Sequence, residues 1–279
     1  MPRNILVALD GNYLPRLHTM LFSLHLNHPG QVFHVYLLHS SISEGQVQRL
    51  AEDLQRLNFE LAEIRIDGAM FKNAPKTDRY PQEMYYRLLA AHLLPEKLDR
   101  ILYLDPDVLI INSLDELWEL DMAGCMFAAA AHNAGDELVT GVNRIRLNTS
   151  SKYYNSGVLL MDLDKCRNSI HAEDILTYVK AHKDTMMLPD QDVLNALYGE
   201  SIFPLDDLIW NYDARKYRYN YVRSGGKADV DWVMENTSIL HYCGRAKPWK
   251  ENYPYRYGIL YKHYMQMERR FFDGHSLME

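Results

Sequence analysis

The chain has 279 residues, 47% hydrophobic and 24% charged, which is typical of a globular protein with one large domain or one domain with a subdomain. Its formal net charge of −7 argues against nucleic acid as a partner. No apolar stretch approaches the roughly 18 residues of a membrane span, and the short apolar run before Asp10 predicts no signal peptide. Because Cys125, Cys166 and Cys243 are far apart and form no CxxC pair, the sequence predicts reduced thiols and a cytoplasmic location.

The first part of the chain alternates between apolar runs and amphipathic segments. The predicted elements are a strand at 4–9, a turn at 10–12, a helix from about Pro15, a strand at 32–38, a helix after a capping box of Ser43 and Gln46, a strand at 59–66, a loop at 68–80, a helix at 81–94 and a strand that ends at Asp105. This alternation implies a parallel sheet with right-handed crossovers. Ligands of such sheets bind at the carboxyl ends of the strands, where Asp10 and Asp105 both fall.

The second part of the chain is less regular. The predicted elements are a short strand at 127–131, a loop at 132–152, a strand at 158–163, a helix at 170–182, a helix capped by residues 190–192, a loop or small subdomain at 210–226, a strand at 239–242, a loop at 243–249 and a helix at 255–272. From Trp210 onward the formal charge is +4, against −11 for the preceding residues.

Asp105-Pro106-Asp107 interrupts the apolar run at 101–111. Two carboxylates amid so much apolar sequence are costly to bury unpaired. In an extended chain, residues i and i+2 point the same way, and Pro106 restricts the backbone between them. Two like charges on one face need a cation, and a divalent metal with oxygen ligands is suited to them. The alternative is a polar turn, because Asp and Pro are common turn residues.

Four short motifs occur in order along the chain. They are Leu104-Asp105-Pro106-Asp107, Asn155-Ser156-Gly157, Asp190-Gln191-Asp192 and His241-Tyr242-Cys243-Gly244-(x)2-Lys247-Pro248-Trp249. With them the sequence resembles glycosyltransferase family 8, which includes bacterial lipopolysaccharide galactosyl- and glucosyltransferases and glycogenin. The resemblance implies an α/β protein of the GT-A fold, with a Rossmann-like, mostly parallel sheet flanked by helices and a smaller C-terminal region. We expect a catalytic domain at 1–250 and a helical extension at 251–279.

The resemblance also implies the site residues. The metal ligands would be Asp105, Asp107 and His241, a set that suits Mn2+ better than Mg2+. The residues implied for binding the donor are Asp10, Asn12, Tyr13, Arg87, Asp105, Gly244 and Lys247. The residues implied near the reacting carbon are Gln191, Asn155 and Asp190. For Asp10 and Asn12 a helix cap is an alternative role that can coexist with binding, and the alternative for Asp192 is that it only caps the helix that it begins or supports the residues around it.

The sequence therefore predicts a retaining enzyme that moves glucose or galactose from a UDP-sugar to a saccharide or lipid-linked acceptor. Because Gln191 is an amide, a front-side reaction is favoured over double displacement. One alternative is a phosphatase with an Asp-x-Asp loop, although Leu109 stands where such loops usually have a threonine. A second is a sugar-nucleotide or glycan-binding module. The aromatic and basic region from Trp210 onward leaves three alternatives. Tyr217, Tyr219 and Tyr221 could stack on the acceptor sugar, or the helix at 255–272 could make peripheral contact with the inner face of the membrane or simply pack against the sheet.

Overall fold

The computed structural model describes residues 3–66, 83–131, 146–147 and 149–273. The predicted loop at 68–80 and most of the predicted loop at 132–152 lie outside these residues. Within them the chain forms two β-sheets and a set of helices, whose bounds follow.

The strands are β1 (Arg3–Ala8), β2 (Phe33–His39), β3 (Phe59–Arg65), β4 (Arg100–Leu104), β5 (Val108–Ile110), β6 (Phe127–Ala130), β7 (Val158–Asp162), β8 (Ile202–Leu205), β9 (Tyr212–Asp213) and β10 (Ile239–His241). The α-helices are α1 (Leu14–Asn27), α2 (Glu44–Arg56), α3 (Glu83–Leu88), α4 (Ala90–Leu93), α5 (Asp115–Trp118), α6 (Leu163–Ser169), α7 (Ala172–His182), α8 (Pro189–Tyr198), α9 (Asp207–Trp210), α10 (Tyr217–Arg223), α11 (Val230–Asn236) and α12 (Gly258–Asp273).

The main sheet has seven strands in the order β3-β2-β1-β4-β7-β6-β8. Only β7 runs against its neighbours, β4 and β6, and the other strands are parallel to one another. The predicted mostly parallel sheet is therefore confirmed. Because β1 and β4 are adjacent and parallel, Asp10 and Asp105 follow them at the same edge of the sheet.

The second sheet has three strands in the order β5-β10-β9. The chain leaves the main sheet after β4 and enters this one at β5, so Asp105-Pro106-Asp107 forms the corner between the two sheets. β10 pairs antiparallel with β5, and His241 lies opposite Val108. This register brings a histidine from far along the chain to the residue that follows Asp107.

Helices cover both faces of the main sheet, as expected when parallel strands are joined by helical crossovers. On β1, Leu6 and Ala8 contact one apolar cluster, which includes side chains of α3, α4, α6, α7 and α8. Ile5 and Val7 contact the other, which includes side chains of α1, α2 and α5. These two apolar clusters therefore fix the positions of the strand ends, where the motifs lie.

Several elements differ from the predictions. The predicted helix at 81–94 is divided at Leu89 into α3 and α4. The strand predicted to reach Leu163 ends at Asp162, because the side chain of Asp162 accepts a hydrogen bond from the amide of Lys165 and caps α6. The segment at 210–226, predicted to be a loop or a small subdomain, contains β9 and α10.

The strand β8 had no sequence prediction. It contains Pro204, which argues against a central strand because proline cannot donate to a neighbouring strand. β8 lies at the edge of the sheet, where one side needs no donor, and this position accommodates Pro204.

The C-terminal helix α12 packs on the main domain. The ring of Phe272 lies 5.7 Å from that of His18 and 6.4 Å from that of Phe22, both on α1. Arg56 donates hydrogen bonds to the carbonyl oxygens of Phe271 and Phe272. No helix of the described residues has the length and apolarity to cross a bilayer. The division at 250/251 stays a prediction.

Candidate active site

The two aspartates of the corner and the histidine of β10 form a compact group. One ligand atom from each of Asp105, Asp107 and His241 lies within 4.8 Å of the others. His241 Nε2 is 3.2 Å from Asp107 Oδ1 and 4.0 Å from Asp105 Oδ2. Three groups that could hold a divalent metal therefore converge at the carboxyl edge of the sheet.

Lys247 gives Asp107 a second cationic partner. Its ammonium forms an ion pair with Asp107 and also donates to the carbonyl oxygen of Tyr242 at 2.9 Å. Burial by itself would raise the pKa of Asp107, but His241 and Lys247 outweigh burial and hold that pKa well below its ordinary value. Asp107 is thus ionised at neutral pH and available as an anionic ligand.

Arg87 links Asp105 to the helix α8. Its guanidinium lies 3.0 Å from Asp105 Oδ1 and 2.9 Å from Asp190 Oδ2, and it stacks 4.7 Å from the centre of the Tyr103 ring. Burial would lower the pKa of Arg87, but its acidic neighbours, Asp105 first, raise it above the ordinary value. Tyr103 donates to Asp105 Oδ1 at 2.6 Å. Asp105 therefore has a fixed orientation.

The motif at the start of β7 contacts the first turn of α8. Asn155 Nδ2 donates to Gln191 Oε1 at 3.0 Å, and Ser156 Oγ donates to Asp190 Oδ2 at 2.8 Å. Asn155 and Gln191 are both buried. The three residues with predicted roles near the reacting carbon thus lie together, next to Arg87.

The predicted cap at residues 190–192 differs from the structure. The N-cap of α8 is Leu188, and Pro189 occupies the first turn, so residues 190–192 lie inside the helix. Asp192 is fully buried and forms its ion pair with a different arginine, Arg146. Arg146 contacts both of its oxygens at 2.7 Å, and the Tyr153 hydroxyl and the Met187 amide also donate to it. Asp192 therefore anchors the segments that flank α8.

A cavity of about 250 Å3 opens beside the metal group. Its lining residues are Ala8, Leu9, Asp10, Tyr13, Arg87, Asp105, Pro106 and Asp107. Asp10 also caps the short 3-10 helix at Gly11–Tyr13 by accepting from the Asn12 amide at 2.8 Å. The cap role and a place on the cavity wall thus coexist for Asp10. Tyr13 is exposed, and its ring meets Trp249 edge-on at 6.4 Å.

Gly244 has a positive φ of 84°, and a Cβ there would collide with the guanidinium of Arg215. Asp213 holds Arg215 through two contacts of 2.9 and 2.7 Å. The glycine therefore permits a close approach between the loop that carries Lys247 and a second cation.

Sequence reasoning missed four residues of this region, which are Tyr103, Ser156, Asn211 and Arg215. Tyr103 had a signal, because it lies two residues before Asp105 on the same strand face. Ser156 lies inside a motif. Asn211 and Arg215 had no signal, since Asn211 is brought near His241, and Arg215 near Gly244, only by the pairing of β9 with β10.

Comparison with known proteins gives consistent results. A model of glycosyl transferase family 8 matches residues 4–253. The chain is 27% identical over 270 residues to general stress protein A of Bacillus subtilis, which covers 94% of this chain and 92% of that protein. It is 28% identical over 253 residues to the lipopolysaccharide 1,2-glucosyltransferase of Escherichia coli K12, covering 88% and 72%.

Solved structures show the same fold. The chain superposes on galactosyltransferase LgtC, solved in complex with donor and acceptor sugar analogues, with a TM-score of 0.78. The two are 24% identical, and the match covers 95% of each chain. This likeness confirms the predicted GT-A fold.

Proposed function

The chain belongs to glycosyltransferase family 8, and we propose that it is a retaining hexosyltransferase that moves glucose or galactose from a UDP-sugar to an acceptor hydroxyl with the help of Mn2+. The observation that carries the proposal is the convergence of two groups of residues. Arg87 lies between the two groups. On one side it contacts the group that could hold a metal, which is Asp105, Asp107 and His241, and on the other it contacts Asp190.

The residues present fit a divalent metal. Two carboxylates and an imidazole form a mixed oxygen and nitrogen set, which favours Mn2+ over Mg2+. A Cβ on Gly157 would lie 2.5 Å from both Asp105 Oδ2 and His241 Cε1, so glycine keeps the space beside the group open. A metal held by these residues would act as a Lewis acid that neutralises the departing diphosphate.

The neighbouring side chains suit the rest of a nucleotide sugar. Asp10, Asn12 and Tyr13 would bind the uridine, with the exposed Tyr13 ring available to stack on the base. Lys247 would contact the diphosphate, and Gly244 would let the backbone approach it closely. Arg87 would contact both the sugar and the phosphate from the cavity wall.

The sugar would lie against Asp190, Asn155 and Gln191. Asp190 accepts hydrogen bonds in this structure and would accept them from donor hydroxyls in the complex. Because Gln191 is a poor nucleophile, we favour a front-side reaction. The bond from the anomeric carbon to the phosphate oxygen breaks, the bond to the acceptor oxygen forms on the same face, and the acceptor proton passes to the departing phosphate.

The acceptor is inferred from the relatives. Their names include lipopolysaccharide 1,2-glucosyltransferase and lipopolysaccharide 1,3-galactosyltransferase. These names support a saccharide or lipid-linked acceptor and a role in surface glycan synthesis. They also support glucose and galactose equally as the transferred sugar.

A donor panel tests the proposal. Purified protein is given UDP-glucose, UDP-galactose and UDP-N-acetylglucosamine, with Mn2+, Mg2+ or EDTA, and UDP release is measured. We expect release from one of the two hexose donors with Mn2+, and none for Asp105→Asn or His241→Ala. Asp164→Asn, which changes an exposed carboxylate on α6, is the matched control and should behave as the wild type.

Equal UDP release in EDTA would contradict the metal assignment. Binding of UDP-sugar without any release, measured by calorimetry, would instead favour the binding-module alternative. Release of inorganic phosphate would favour the phosphatase alternative. Proton NMR of the product would establish whether the anomeric configuration is retained.

A further inference from the structure

A continuous chain of hydrogen bonds joins the metal group to the predicted reaction centre. His241 Nδ1 lies 2.8 Å from Asn211 Oδ1. Asn211 Nδ2 donates to Asn155 Oδ1 at 2.8 Å, and Asn155 Nδ2 donates to Gln191 Oε1 at 3.0 Å. None of these four residues is more than 7% exposed. Asn211 lies in the middle of this series of hydrogen bonds and belongs to none of the four sequence motifs.

The direction of these hydrogen bonds determines which nitrogen of His241 carries the proton. An amide oxygen can only accept, so the hydrogen bond to Asn211 Oδ1 requires the proton to be on Nδ1. In the neutral ring Nε2 then carries the lone pair, and Nε2 is the nitrogen that faces Asp105 and Asp107. A hydrogen bond at the far ring nitrogen is the usual way to fix the tautomer of a metal-binding histidine.

The amide nitrogen of Asn211 donates a hydrogen bond to Asn155. Asn155 Oδ1 accepts from both Asn211 Nδ2 and the Gly157 amide, which donates at 3.0 Å. With its oxygen engaged twice, Asn155 must present its amide nitrogen to Gln191. The orientation of the Gln191 amide therefore depends on Asn211 through one intermediate side chain.

The backbone on both sides of Asn211 is held by hydrogen bonds to β10 and to the residue just before it. Ser238 donates its amide proton to the carbonyl oxygen of Ile209 at 2.8 Å, and Ala214 donates to the carbonyl oxygen of His241 at 3.0 Å. β9, which follows Asn211 directly, pairs in parallel with β10. Asn211 is thus placed by the same sheet that carries His241.

We propose that Asn211 is a positioning residue that couples the metal site to the reaction centre. Its carbonyl oxygen holds His241 in the Nδ1-protonated tautomer, and its amide group orients Asn155 and, through it, Gln191. The role assigned to Gln191 rests on the proposed function. The role toward His241 rests on the hydrogen bond alone.

Two substitutions separate the two halves of this role. Asn211→Asp keeps an oxygen acceptor for His241 Nδ1 but has no N–H for Asn155. Asn211→Leu has the same branched shape and number of side-chain heavy atoms and removes both interactions. Asn220→Leu, at another buried asparagine that contacts Arg223 on α10, is the matched control for loss of a buried amide.

The measurements include two that do not depend on turnover. Nitrogen-15 NMR of the metal-free protein, recorded at a pH at which the His241 ring is neutral, reports the tautomer of His241, and calorimetry reports Mn2+ affinity. For Asn211→Leu we expect a mixed tautomer, about 10- to 100-fold weaker Mn2+ binding and a loss of kcat. For Asn211→Asp we expect the wild-type tautomer and no weakening of Mn2+ binding, but a kcat reduced about 10-fold or more with little change in donor KM. Asn220→Leu should keep the wild-type tautomer and Mn2+ affinity.

Circular dichroism establishes that each variant is folded. If Asn211→Leu keeps the wild-type tautomer and Mn2+ affinity, the proposal is wrong for the metal side. If folded Asn211→Asp keeps the wild-type kcat, it is wrong for the reaction side. Absence of Mn2+ binding and UDP release in the wild type would overturn the proposed function instead, and the tautomer readout would still decide the role of Asn211 toward His241.

Discussion

Gly157 lies so close to Asp105 that a Cβ on the glycine would be 2.5 Å from the Oδ2 atom of the aspartate. The two residues are also joined through the backbone, because the Asp105 amide donates to the Gly157 carbonyl oxygen at 2.8 Å. Neither residue can therefore move away from the other without breaking a bond between β7 and the corner after β4. The Asn-Ser-Gly motif therefore has a glycine at this position because a larger side chain would collide with the metal group.

We expect Gly157→Ala to abolish Mn2+-dependent UDP release, because the methyl group would displace Asp105 or His241. Mn2+ should also fail to raise the melting temperature of this variant. Gly45→Ala on α2 is the control, since no atom lies within 4 Å of a Cβ there. It should keep full activity and gain up to about 1 kcal/mol of stability from helix propensity. Wild-type activity of Gly157→Ala would contradict this account of the motif.

The kinetic roles of Gln191 and Asp10 should differ. Gln191→Ala is expected to lower kcat more than it raises KM, because a group at the reacting carbon contributes mainly in the transition state. Asp10→Ala should raise KM for the donor and weaken UDP binding while kcat survives. Steady-state kinetics and UDP calorimetry on both variants measure this. The same ratio of kcat to KM effects in the two variants would refute the division of roles.

Asp192 should contribute to stability. Asp192→Asn would place an amide NH2 among the donors of Arg146, Tyr153 and Met187, at a cost of about 2–3 kcal/mol in the free energy of unfolding. Burial would raise the pKa of Asp192, but the hydrogen bonds from Arg146 and Tyr153 lower it. A depressed folded-state pKa means that this stabilisation is present at neutral pH and is lost as pH falls through the folded-state pKa.

Urea denaturation at pH 7 measures the effect of Asp192→Asn. Asp164→Asn, at an exposed ion pair with Arg167, should cost less than about 0.5 kcal/mol. Equal stability of the two variants would show that the buried network contributes nothing.

Glu268 on α12 should make stability fall at high pH. Burial raises its pKa to about 7, with Arg269 opposing and Asp273 and Asp53 adding to the rise. A raised folded-state pKa gives a contribution that is present below the unfolded-state pKa and is lost as pH rises toward and past 7. Glu268→Gln should therefore be more stable than the wild type at pH 8, by about 1 kcal/mol after allowance for partial exposure.

The advantage of Glu268→Gln should shrink as pH falls toward 5, as thermal or urea denaturation at several pH values would show. Glu235→Gln, at an exposed glutamate on α11, is the control and should show no such trend. A constant difference between pH 5 and pH 8 would rule out titration of Glu268 as the cause.

Membrane contact through α12 stays a prediction. Tyr261 and Phe272 pack inward, whereas Lys262, Arg269 and Arg270 are exposed. We expect weak, salt-sensitive sedimentation with anionic vesicles, worth about 1 kcal/mol for each well-placed cation, and none with neutral vesicles. If the protein stays in the supernatant at low and high salt, α12 is a packing helix and a soluble acceptor is favoured.

Short-range patterns in the sequence determined the local structure. Alternating apolar runs and amphipathic segments predicted the parallel sheet, and the capping box at Ser43 is present as expected. The carboxylates of Asp105 and Asp107 were recognisable because two charges interrupt an apolar run. The family resemblance supplied His241, which no local spacing connects to them.

The tertiary structure decided which side chains meet. Successive residues of a helix point about 100° apart, so residues 190–192 cannot all face Arg87 and Asn155, and the observed contacts show that Asp192 faces Arg146 and Tyr153 instead. Asp105 and Asp107 each have a cationic partner of their own, Arg87 and Lys247, which come from other parts of the chain. Asn211 reaches His241 through the register of β9 with β10. These contacts depend on how distant strands pair, and pairing between distant strands is decided by the packing of the whole sheet.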